Sequence, residues 1–459
     1  MGNPANGAAH GWRSHWTLLL LTLVLAMDFC DRQIVSVLIQ PIKNEFHVSD
    51  TLMGLLGGMS FAVLYSVLAV PAGRFADRSN RRNFVSYCCG IWSLMTVACA
   101  SAAGYWWLFA ARAGVAIGEA GGDAPSASLV ADHYPPHQRG RALSFYMLAP
   151  QLGLMIGLIG GGWIAQHFGW RDAFLWMSVP GLILALLLRF TGVEARRGYW
   201  EDSKPARGQE AFAETLKSIW QSRAFLLVTV ACTLIVFAGY GIGIWTPAFL
   251  MRSYGYTIEK AGAVMGLIGG PAAVFGTLIG GWVGDALAKR DVRWRIGVAL
   301  VGCVVALPAL LVFYGLPATA TVGILGHGVP VAIVAYGLFA VAAVLWTGPI
   351  YAVLTDLIAP HRRATVIATF WLALTLIGAG LGPLAIGSVS TALTGTFGEQ
   401  SLRWALFGVS GVSYVLGILA FIVAIPFYIR EHRESLAQTK AGDAHRGGAG
   451  WGEAGCSGS

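Results

Sequence analysis

The stretch "GRFADRSNRR", residues 73–82, has a counterpart in "GWVGDALAKR", residues 281–290. In both, a glycine is followed four residues later by an aspartate and then by basic residues, and both follow a long apolar run. A second pair, "DHYPPHQRGRA" at 132–142 and "DLIAPHRRA" at 356–364, also follows apolar runs and shares the pattern Asp-x-x-x-Pro-His before arginines. These repeats indicate that the chain consists of two related halves.

The composition places both halves in a membrane. Of the 459 residues, 56% are hydrophobic and only 12% are charged, and apolar runs recur at about the twenty residues that a helix needs to cross a bilayer. We predict an all-α integral membrane protein with twelve transmembrane helices in two pseudo-symmetric six-helix halves. The predicted spans are 16–39, 51–73, 84–103, 105–131, 142–166, 172–190, 223–250, 260–286, 296–315, 328–357, 364–389 and 402–429.

The same pattern divides the chain into domains. These are a cytoplasmic N-terminus (1–15), the N-terminal half (16–190), a cytoplasmic linker (191–222), the C-terminal half (223–429) and a disordered cytoplasmic tail (430–459). The last part of the linker is predicted to form an amphipathic helix on the membrane surface.

The formal charge of +8 reflects membrane topology. Most of the 31 lysines and arginines lie in the two termini and in the loops that follow even-numbered spans. The loops on the opposite side hold only Lys43, Arg171, Arg252, Lys260 and Arg403. Because positively charged loops stay in the cytoplasm, we expect both termini there and the protein in the inner membrane of a bacterium. The basic balance therefore indicates contact with a lipid bilayer and no nucleic-acid partner.

Two of the predicted spans carry charges in their interior. Span 1 holds three on one helical face, and span 4 holds three along one stripe: Asp28, Asp31 and Arg32, and Arg112, Glu119 and Asp123. An ionised side chain inside a bilayer is costly, so it faces the bundle interior and has a partner. We predict a proton-coupling network of Asp31, Arg32, Arg112 and Glu119, with Asp28 close by. Arg112 and Glu119 are also predicted to contact substrate.

Simpler interpretations exist for the same charges. In one alternative, the charges form a permanently paired cluster whose sole role is to join spans 1 and 4. Asp123 could satisfy backbone groups that are freed by Pro125 two residues later.

The C-terminal half offers a different surface. Its predicted spans hold no Lys, Arg, Asp or Glu away from their ends. They contain aromatic residues that we assign to substrate binding: Tyr240, Trp245, Trp346 and Tyr351. A cavity with one charged wall and one aromatic, apolar wall suits an amphiphile that has an ionic headgroup and a hydrocarbon tail. The alternative is that these rings pack between helices or lie at the membrane interface.

The repeated loops are candidates for a gate. Asp77, at the end of span 2, is positioned to face the N-terminus of a helix in the other half, where unpaired amides attract an anion. Arg81 lies within reach of Asp132 at the end of span 4. The predicted gating set, including the counterparts in the second half, is Gly73, Asp77, Arg81, Asp132, Asp285 and Asp356. Such contacts hold the cytoplasmic ends together when the cavity faces outward. The alternative is that the bases only anchor the loop.

These features resemble the major facilitator superfamily. The loop "GRFADRSNRR" is similar to the signature loop of that superfamily, with Asn80 where the usual pattern has glycine. The stretches "FCDRQI" in span 1, "RAGVAIGEA" in span 4 and "GWRDAF" at 169–174 resemble the Spinster branch, the lysolipid and sphingolipid transporters. The resemblance implies the major facilitator fold, alternating access and a lipid-like substrate.

We therefore expect a proton-coupled secondary active transporter of an amphipathic, lipid-like substrate, either a lysophospholipid or a sphingoid-type molecule, with an anionic headgroup. The chain has no Gly-x-x-x-x-Gly-Lys-Ser/Thr phosphate loop and no hydrolase or paired-histidine metal motif, so we expect neither ATP-driven pumping nor enzymatic activity. We expect a monomer with no metal and no cofactor, the proton being the coupling ion. Two alternatives remain: a proton-coupled transporter of small organic anions or drugs, and a non-transporting lipid sensor or scramblase-like protein.

Overall fold

The computed structural model describes residues 11–200, 219–324, 327–358 and 362–448, and these residues are predominantly helical. The N-terminal half contains α1 (Trp12–Phe46), α2 (Asp50–Gly57), α3 (Met59–Arg78), α4 (Arg81–Ala100), α5 (Tyr105–Glu119), α6 (Asp123–His133), α7 (Pro136–Tyr146), α8 (Ala149–Met155), α9 (Gly161–Phe168) and α10 (Trp170–Thr191). A π-helical turn, Ile156–Gly160, joins α8 to α9. Predicted span 2 corresponds to α2 and α3, span 4 to α5 and α6, and span 5 to α7, α8 and α9.

The C-terminal half contains α11 (Arg223–Tyr254), α12 (Ile258–Ala288), α13 (Trp294–Gly315), α14 (Val331–Ala342), α15 (Thr347–Asp356), α16 (Arg363–Ala373), α17 (Gly380–Phe397) and α18 (Ser401–Gly448). A π-helical turn, Leu374–Ala379, joins α16 to α17, in the same place within its half as the π-helical turn of the N-terminal half. Between α13 and α14, a short antiparallel hairpin pairs β1 (Thr321–Ile324) with β2 (His327–Pro330), with Thr321 opposite Pro330.

Nine continuous helical segments of the described residues are long and apolar enough to cross a membrane. The last of them, Thr365–Glu434, contains two of the predicted spans. Spans 1 and 4 are not among the nine, and these are the spans with charged residues inside; span 4 is also divided by a turn between Glu119 and Asp123. The helices are therefore consistent with the twelve predicted spans.

Side-chain caps explain where two of these helices begin. Ser49 accepts a hydrogen bond from the Leu52 amide at 3.3 Å before α2. Asn80 accepts one from the Asn83 amide at 2.9 Å before α4. A side-chain oxygen in this position satisfies an amide that has no partner in the first helical turn. Asn80, which differs from the usual glycine of the signature loop, thus starts the next helix.

Glycines bring α1 close to the fifth span. A methyl group at Gly153 would lie 2.1 Å from the Ala26 carbonyl oxygen, and one at Gly157 would lie 2.7 Å from that of Cys30. Because atoms do not approach so closely, only glycine allows these two backbones to meet. This contact holds the charged part of α1 inside the bundle.

The structure differs from the predicted domains at the C-terminus. Residues 430–448, predicted as a disordered tail, continue α18. An ion pair one turn apart, between Arg430 and Glu434 at 2.9 Å, supports the helix there. At the N-terminus, α1 begins at Trp12, within the predicted 1–15 segment. The amphipathic helix predicted late in the linker falls largely on residues 201–218, which lie outside the described residues, as do 1–10 and 449–459.

The two halves meet at one end of the bundle. We call the end where α1 begins, and where the loops at 79–80 and 134–135 lie, the motif end, and the opposite end the far end. At the far end, a methyl group at Gly54 would lie 2.4 Å from the Pro383 carbonyl oxygen in the other half. The bundle is therefore closed at the far end.

Candidate functional site: a cavity between the halves

A cavity of about 640 Å³ lies between the two halves. This volume is within the range of roughly 300–1,000 Å³ that is usual for small-molecule sites. The N-terminal wall includes charged side chains from α1, α5 and α6, and the C-terminal wall includes neutral side chains from α11, α12, α14, α16 and α18 and from the segments that follow α14 and α16. The charged lining residues are Arg32, Arg112 and Asp123.

Arg32 is the centre of the N-terminal wall. Its Nε donates to Glu119 Oε2 at 2.8 Å, and its Nη2 lies 2.6 Å from Asp28 Oδ1, one turn earlier on α1. Asp123 Oδ2 lies farther away, 3.8 Å from the same Nη2. Three carboxylates therefore share one guanidinium group, and the structure brings Asp28, Arg32 and Glu119 together as predicted.

Aromatic rings cover the Arg32 guanidinium group. Its carbon lies 4.9, 4.8 and 4.9 Å from the ring centroids of Phe29, Phe61 and Tyr65, at distances typical of cation–π contacts. The Tyr65 hydroxyl donates to Asp123 Oδ2 at 2.8 Å. In the alternative interpretation of the sequence, Asp123 satisfies backbone groups near Pro125; in the structure its carboxylate accepts from the Tyr65 side chain.

Arg112 and Asp31 form the second part of the network. Arg112 Nη1 donates to the Asp31 backbone carbonyl at 3.1 Å, and Thr96 Oγ1 donates to Asp31 Oδ2 at 3.2 Å. Arg112 is almost fully buried, and its Nε has no hydrogen-bond partner among the described residues. The sequence did not predict Thr96, an uncharged residue on a third span.

The whole cluster has more acids than bases. It consists of four carboxylates and two guanidinium groups: Asp28, Asp31, Glu119 and Asp123, and Arg32 and Arg112. With all six ionised its formal charge is −2. Asp28, Asp31 and Glu119 are at most 1% exposed. An uncompensated buried charge is costly, so this surplus favours the uptake of protons or of a cation.

The C-terminal wall is neutral and rich in aromatic residues. Tyr240 and Trp346 line the cavity, as predicted. Trp245 is fully buried, and its Nε1 donates to the Pro383 carbonyl at 2.8 Å, so it packs between α11 and α17. In contrast to the prediction, it does not line this cavity. The Tyr351 hydroxyl accepts a hydrogen bond from Trp371, and Trp371 rather than Tyr351 reaches the cavity.

An ion cluster that the sequence analysis missed closes the far end. Buried Asp50 accepts two hydrogen bonds from Arg252, at 2.8 Å each, one from Lys43 at 2.6 Å and one from Ser390 at 2.6 Å. Arg252 also donates to Gln40 at 2.6 Å. We call these five residues the far-end cluster; it joins the two halves. One feature of the sequence pointed to it: Lys43 and Arg252 are among the few basic residues in the loops on the side opposite the predicted cytoplasmic side.

The N-terminal half has its own cluster at the motif end. Arg81 Nη1 lies 2.5 Å from Asp132 Oδ2, which is the contact predicted from the repeated loops. Arg81 Nε also donates to Glu194 at 3.0 Å, so the start of the linker is part of this cluster. Arg197, farther along the linker, donates to the Ala76 carbonyl at 2.6 Å at the end of α3. These contacts all lie within one half and its linker.

The remaining predicted gating residues do not cross between the halves in this conformation. The side chain of Asp77 is 78% exposed, and its Oδ1 lies 3.9 Å from Arg197. Asp285 is exposed, and a methyl group at Gly73 would meet nothing within 4 Å. Asp356 pairs with Arg295 of its own half, as Asp132 pairs with Arg81.

The family of the chain follows from comparison with known proteins. The model of the Major Facilitator Superfamily matches residues 21–383. The chain therefore belongs to the Major Facilitator Superfamily, and it is a multi-pass membrane transporter of a small-molecule substrate. The predicted fold and the predicted absence of enzymatic activity agree with this family.

Individual relatives refine this assignment. An "MFS-type efflux pump" of Mycolicibacterium smegmatis is 31% identical over 427 residues, which cover 92% of this chain and 95% of that protein. "Protein spinster homolog 1" of Xenopus tropicalis is 27% identical over 427 residues, which cover 89% of this chain and 78% of that protein.

A solved structure gives the same result. The crystal structure of a bacterial homolog to the human lysosomal transporter Spinster, in an inward-facing and unoccupied conformation, has a TM-score of 0.78 and 29% sequence identity. The match covers 93% of this chain and 98% of that chain. The resemblance to Spinster transporters that the sequence predicted is confirmed.

Proposed function

We propose that the protein is a proton-coupled secondary transporter that moves an amphipathic, lipid-like substrate by alternating access. The observation that carries this proposal is the two-sided cavity, in which the ion cluster around Arg32 faces a neutral wall with Tyr240, Trp346 and Trp371. A molecule with a polar headgroup and a hydrocarbon tail fits both walls. The resemblance to the Spinster family, which implies a lysophospholipid or a sphingoid-type molecule, supports the same substrate class.

The surplus of buried carboxylates supports the proposal of proton coupling. Asp31 and Glu119 are buried beside Arg112 and Arg32, respectively. A carboxylate in a low-dielectric site binds a proton more readily when its guanidinium partner moves away, and releases it when the partner returns. A substrate that displaces Arg32 or Arg112 therefore changes the protonation of these acids. Asp28, the third buried carboxylate, shares Arg32 with Glu119 and is affected in the same way.

Alternating access assigns a direction to the two ends of the bundle. If the motif end is cytoplasmic, as its basic loops indicate, the conformation described above is closed to the outside at the far-end cluster. Both termini then lie in the cytoplasm at the inner membrane of a bacterium, and the monomer is the functional unit. The predicted gate at Asp77 and Asp285 forms only after the far end has opened.

A second candidate function is the export of drug-like compounds. The observation that favours it is the similarity, over 92% of this chain, to a protein named as an efflux pump. Such compounds have no long tail, so chain length separates this candidate from the first.

Binding across a series of single-chain amphiphiles tests the substrate class. At about 0.8 kcal/mol per buried methylene, affinity for the purified protein should rise up to about fourfold with each added methylene until the tail fills the neutral wall. Trp346→Ala should reduce this gain, while Trp12→Ala, outside the cavity, should not. A wild-type affinity that does not change with chain length contradicts the lipid-like substrate and favours the drug-like one.

Transport in proteoliposomes tests the coupling. Asp31→Asn and Glu119→Gln should abolish uptake driven by a pH gradient and leave substrate counterflow intact, because counterflow needs no net proton movement. Asp291→Asn, at an exposed loop position, is the matched control. Full gradient-driven transport in both variants would show that Asp31 and Glu119 do not couple transport to protons. Absence of counterflow in the wild-type protein would instead support a lipid sensor that does not transport.

A further inference from the structure

The hydroxyl group of Thr96 has two acceptors for one hydrogen. Its Oγ1 lies 3.2 Å from Asp31 Oδ2 and 3.0 Å from the Trp92 carbonyl oxygen, one turn earlier on α4. A hydroxyl group donates one hydrogen, but it also has lone pairs that accept. Both distances are longer than is usual for a hydroxyl that donates to a carboxylate alone, as expected when two acceptors share one hydrogen. Thr96 can therefore donate to either oxygen, but not fully to both.

The two acceptors of Thr96 differ in what they can donate. The Trp92 carbonyl can only accept, whereas the Asp31 carboxyl group carries a hydrogen of its own once it is protonated. With Asp31 ionised, Thr96 donates to Oδ2. With Asp31 protonated, Oδ2 donates to Thr96 Oγ1, and the Thr96 hydrogen turns to the Trp92 carbonyl. The same positions of the heavy atoms therefore satisfy Asp31 Oδ2 in both protonation states.

Burial makes such a reversal necessary. Asp31 and Thr96 are at most 1% exposed, and Asp31 Oδ1 has no hydrogen-bond partner among the described residues. A buried polar atom that loses its partner is costly, so an acid that changes its protonation here needs a neighbour that can both donate and accept. Arg112 donates to the Asp31 backbone carbonyl, and a guanidinium group cannot accept.

No other neighbour takes the place of Thr96. The charged and titratable groups that face Asp31 are Arg112 and Glu119 on α5, Cys89 and Cys99 on α4, and Cys30 on α1. The helices α8, α10 and α11, which also pack on α1, carry no charged residue away from their ends. Within the described part of the chain, Thr96 is the one side chain that hydrogen-bonds the Asp31 carboxylate.

We propose that Thr96 is a positioning residue that lets Asp31 gain and lose a proton without movement of the helices. The proposal rests on the proposed function, in which Asp31 exchanges a proton during transport, and it adds the group that keeps both forms of this acid hydrogen-bonded. Loss of the hydroxyl should destabilise the ionised form more than the protonated form, because hydrogen bonds to charged groups are the stronger ones. Asp31 should then take up its proton at a higher pH.

Infrared difference spectroscopy on the full chain in proteoliposomes tests this role. The C=O stretch of protonated carboxyl groups is followed as the pH changes, and the contribution of Asp31 is the part that is missing in Asp31→Asn. In Thr96→Val, which keeps the shape of the side chain, the midpoint of the Asp31 titration should rise by about one pH unit, the difference between a charged and a neutral hydrogen bond. Thr96→Ser, which restores the hydroxyl, should return the midpoint to the wild-type value.

Thr22→Val is the matched control. Thr22 is buried and also donates to the carbonyl one turn earlier, that of Leu18, but it donates to no carboxylate. Its replacement should leave the titration of Asp31 unchanged. If Thr96→Val does not yield folded protein, Thr96→Ala carries the same prediction.

Three results would overturn the proposal: an unchanged midpoint without the Thr96 hydroxyl, an equal shift in Thr22→Val, or no titration of Asp31 over the pH range in which the protein stays folded. The spectra need no substrate, so they separate this proposal from the proposed function. A shifted midpoint in Thr96→Val together with full gradient-driven transport in Asp31→Asn would leave the role of Thr96 intact and contradict coupling through Asp31.

Discussion

The two ends of the bundle use ion pairs in different ways. At the far end, Asp50 of the N-terminal half binds Arg252 of the C-terminal half. At the motif end, the pair Arg81–Asp132 lies within one half, and its counterpart Asp356–Arg295 lies within the other. If the halves move as rigid bodies, we expect pairs within a half to keep their partners and pairs between the halves to break when the far end opens. We therefore expect the far-end cluster to have the largest influence on which conformation is stable.

Asp50→Asn should have the largest effect on the equilibrium between the conformation closed at the far end and the open one. It leaves the largely buried Arg252 without its counter-ion, and removal of one partner from a buried ion pair costs about 3–5 kcal/mol. Because only the conformation closed at the far end bears this cost, its population relative to the open one should fall by two orders of magnitude or more. Hydrogen–deuterium exchange should accelerate in α2 and in α17.

Lys43→Gln is the matched control for Asp50→Asn. Lys43 contacts the same carboxylate from its own half and is partly exposed, so its replacement should change the exchange far less. Unchanged protection of α2 and α17 in Asp50→Asn would show that the far-end cluster does not set the equilibrium.

The sequence predicted contacts that depend on local spacing or on a repeated motif. Asp28 and Arg32 are one helical turn apart, and the contact between Arg81 and Asp132 follows from the loops that recur in both halves. The contact of Asp50 with Arg252 depends on how one half is rotated against the other. No spacing along the chain contains that rotation, so the sequence analysis interpreted Arg252 only through its loop position and did not single out Asp50.

Trp245 shows a second limit of the sequence. Its helix, α11, is apolar on all sides, so hydrophobic periodicity does not distinguish the face toward the cavity from the face toward another helix. Trp245 is five residues from Tyr240, which places the two side chains about 140° apart around the helix. The structure accordingly directs Tyr240 to the cavity and Trp245 to α17.

Gly387→Ala should weaken the far end by a smaller amount and without any change of charge. The added methyl group would lie 2.3 Å from the Asp50 carbonyl oxygen and 2.9 Å from Trp245. Overpacking of this kind costs about 1–3 kcal/mol, so exchange in α2 should accelerate less than in Asp50→Asn. Gly395→Ala, on the same helix with nothing within 4 Å, should show no such acceleration. Equal behaviour of the two variants would exclude close packing as a source of far-end stability.

Asp77→Asn should have the smallest effect, and in the opposite direction. Asp77 is exposed in the conformation closed at the far end, so loss of its charge should change the stability of that conformation by less than about 1 kcal/mol. If Asp77 binds a helix N-terminus once the motif end closes, the substitution removes about 0.3–2 kcal/mol from that other conformation alone. The equilibrium should then shift toward the conformation described above, and distances between spin labels on the loops before α4 and before α16 should lengthen. In the double variant with Asp50→Asn the two shifts should partly cancel. Shorter distances, or no change in either background, would remove Asp77 from the gate and leave the far-end cluster as the device that sets the equilibrium.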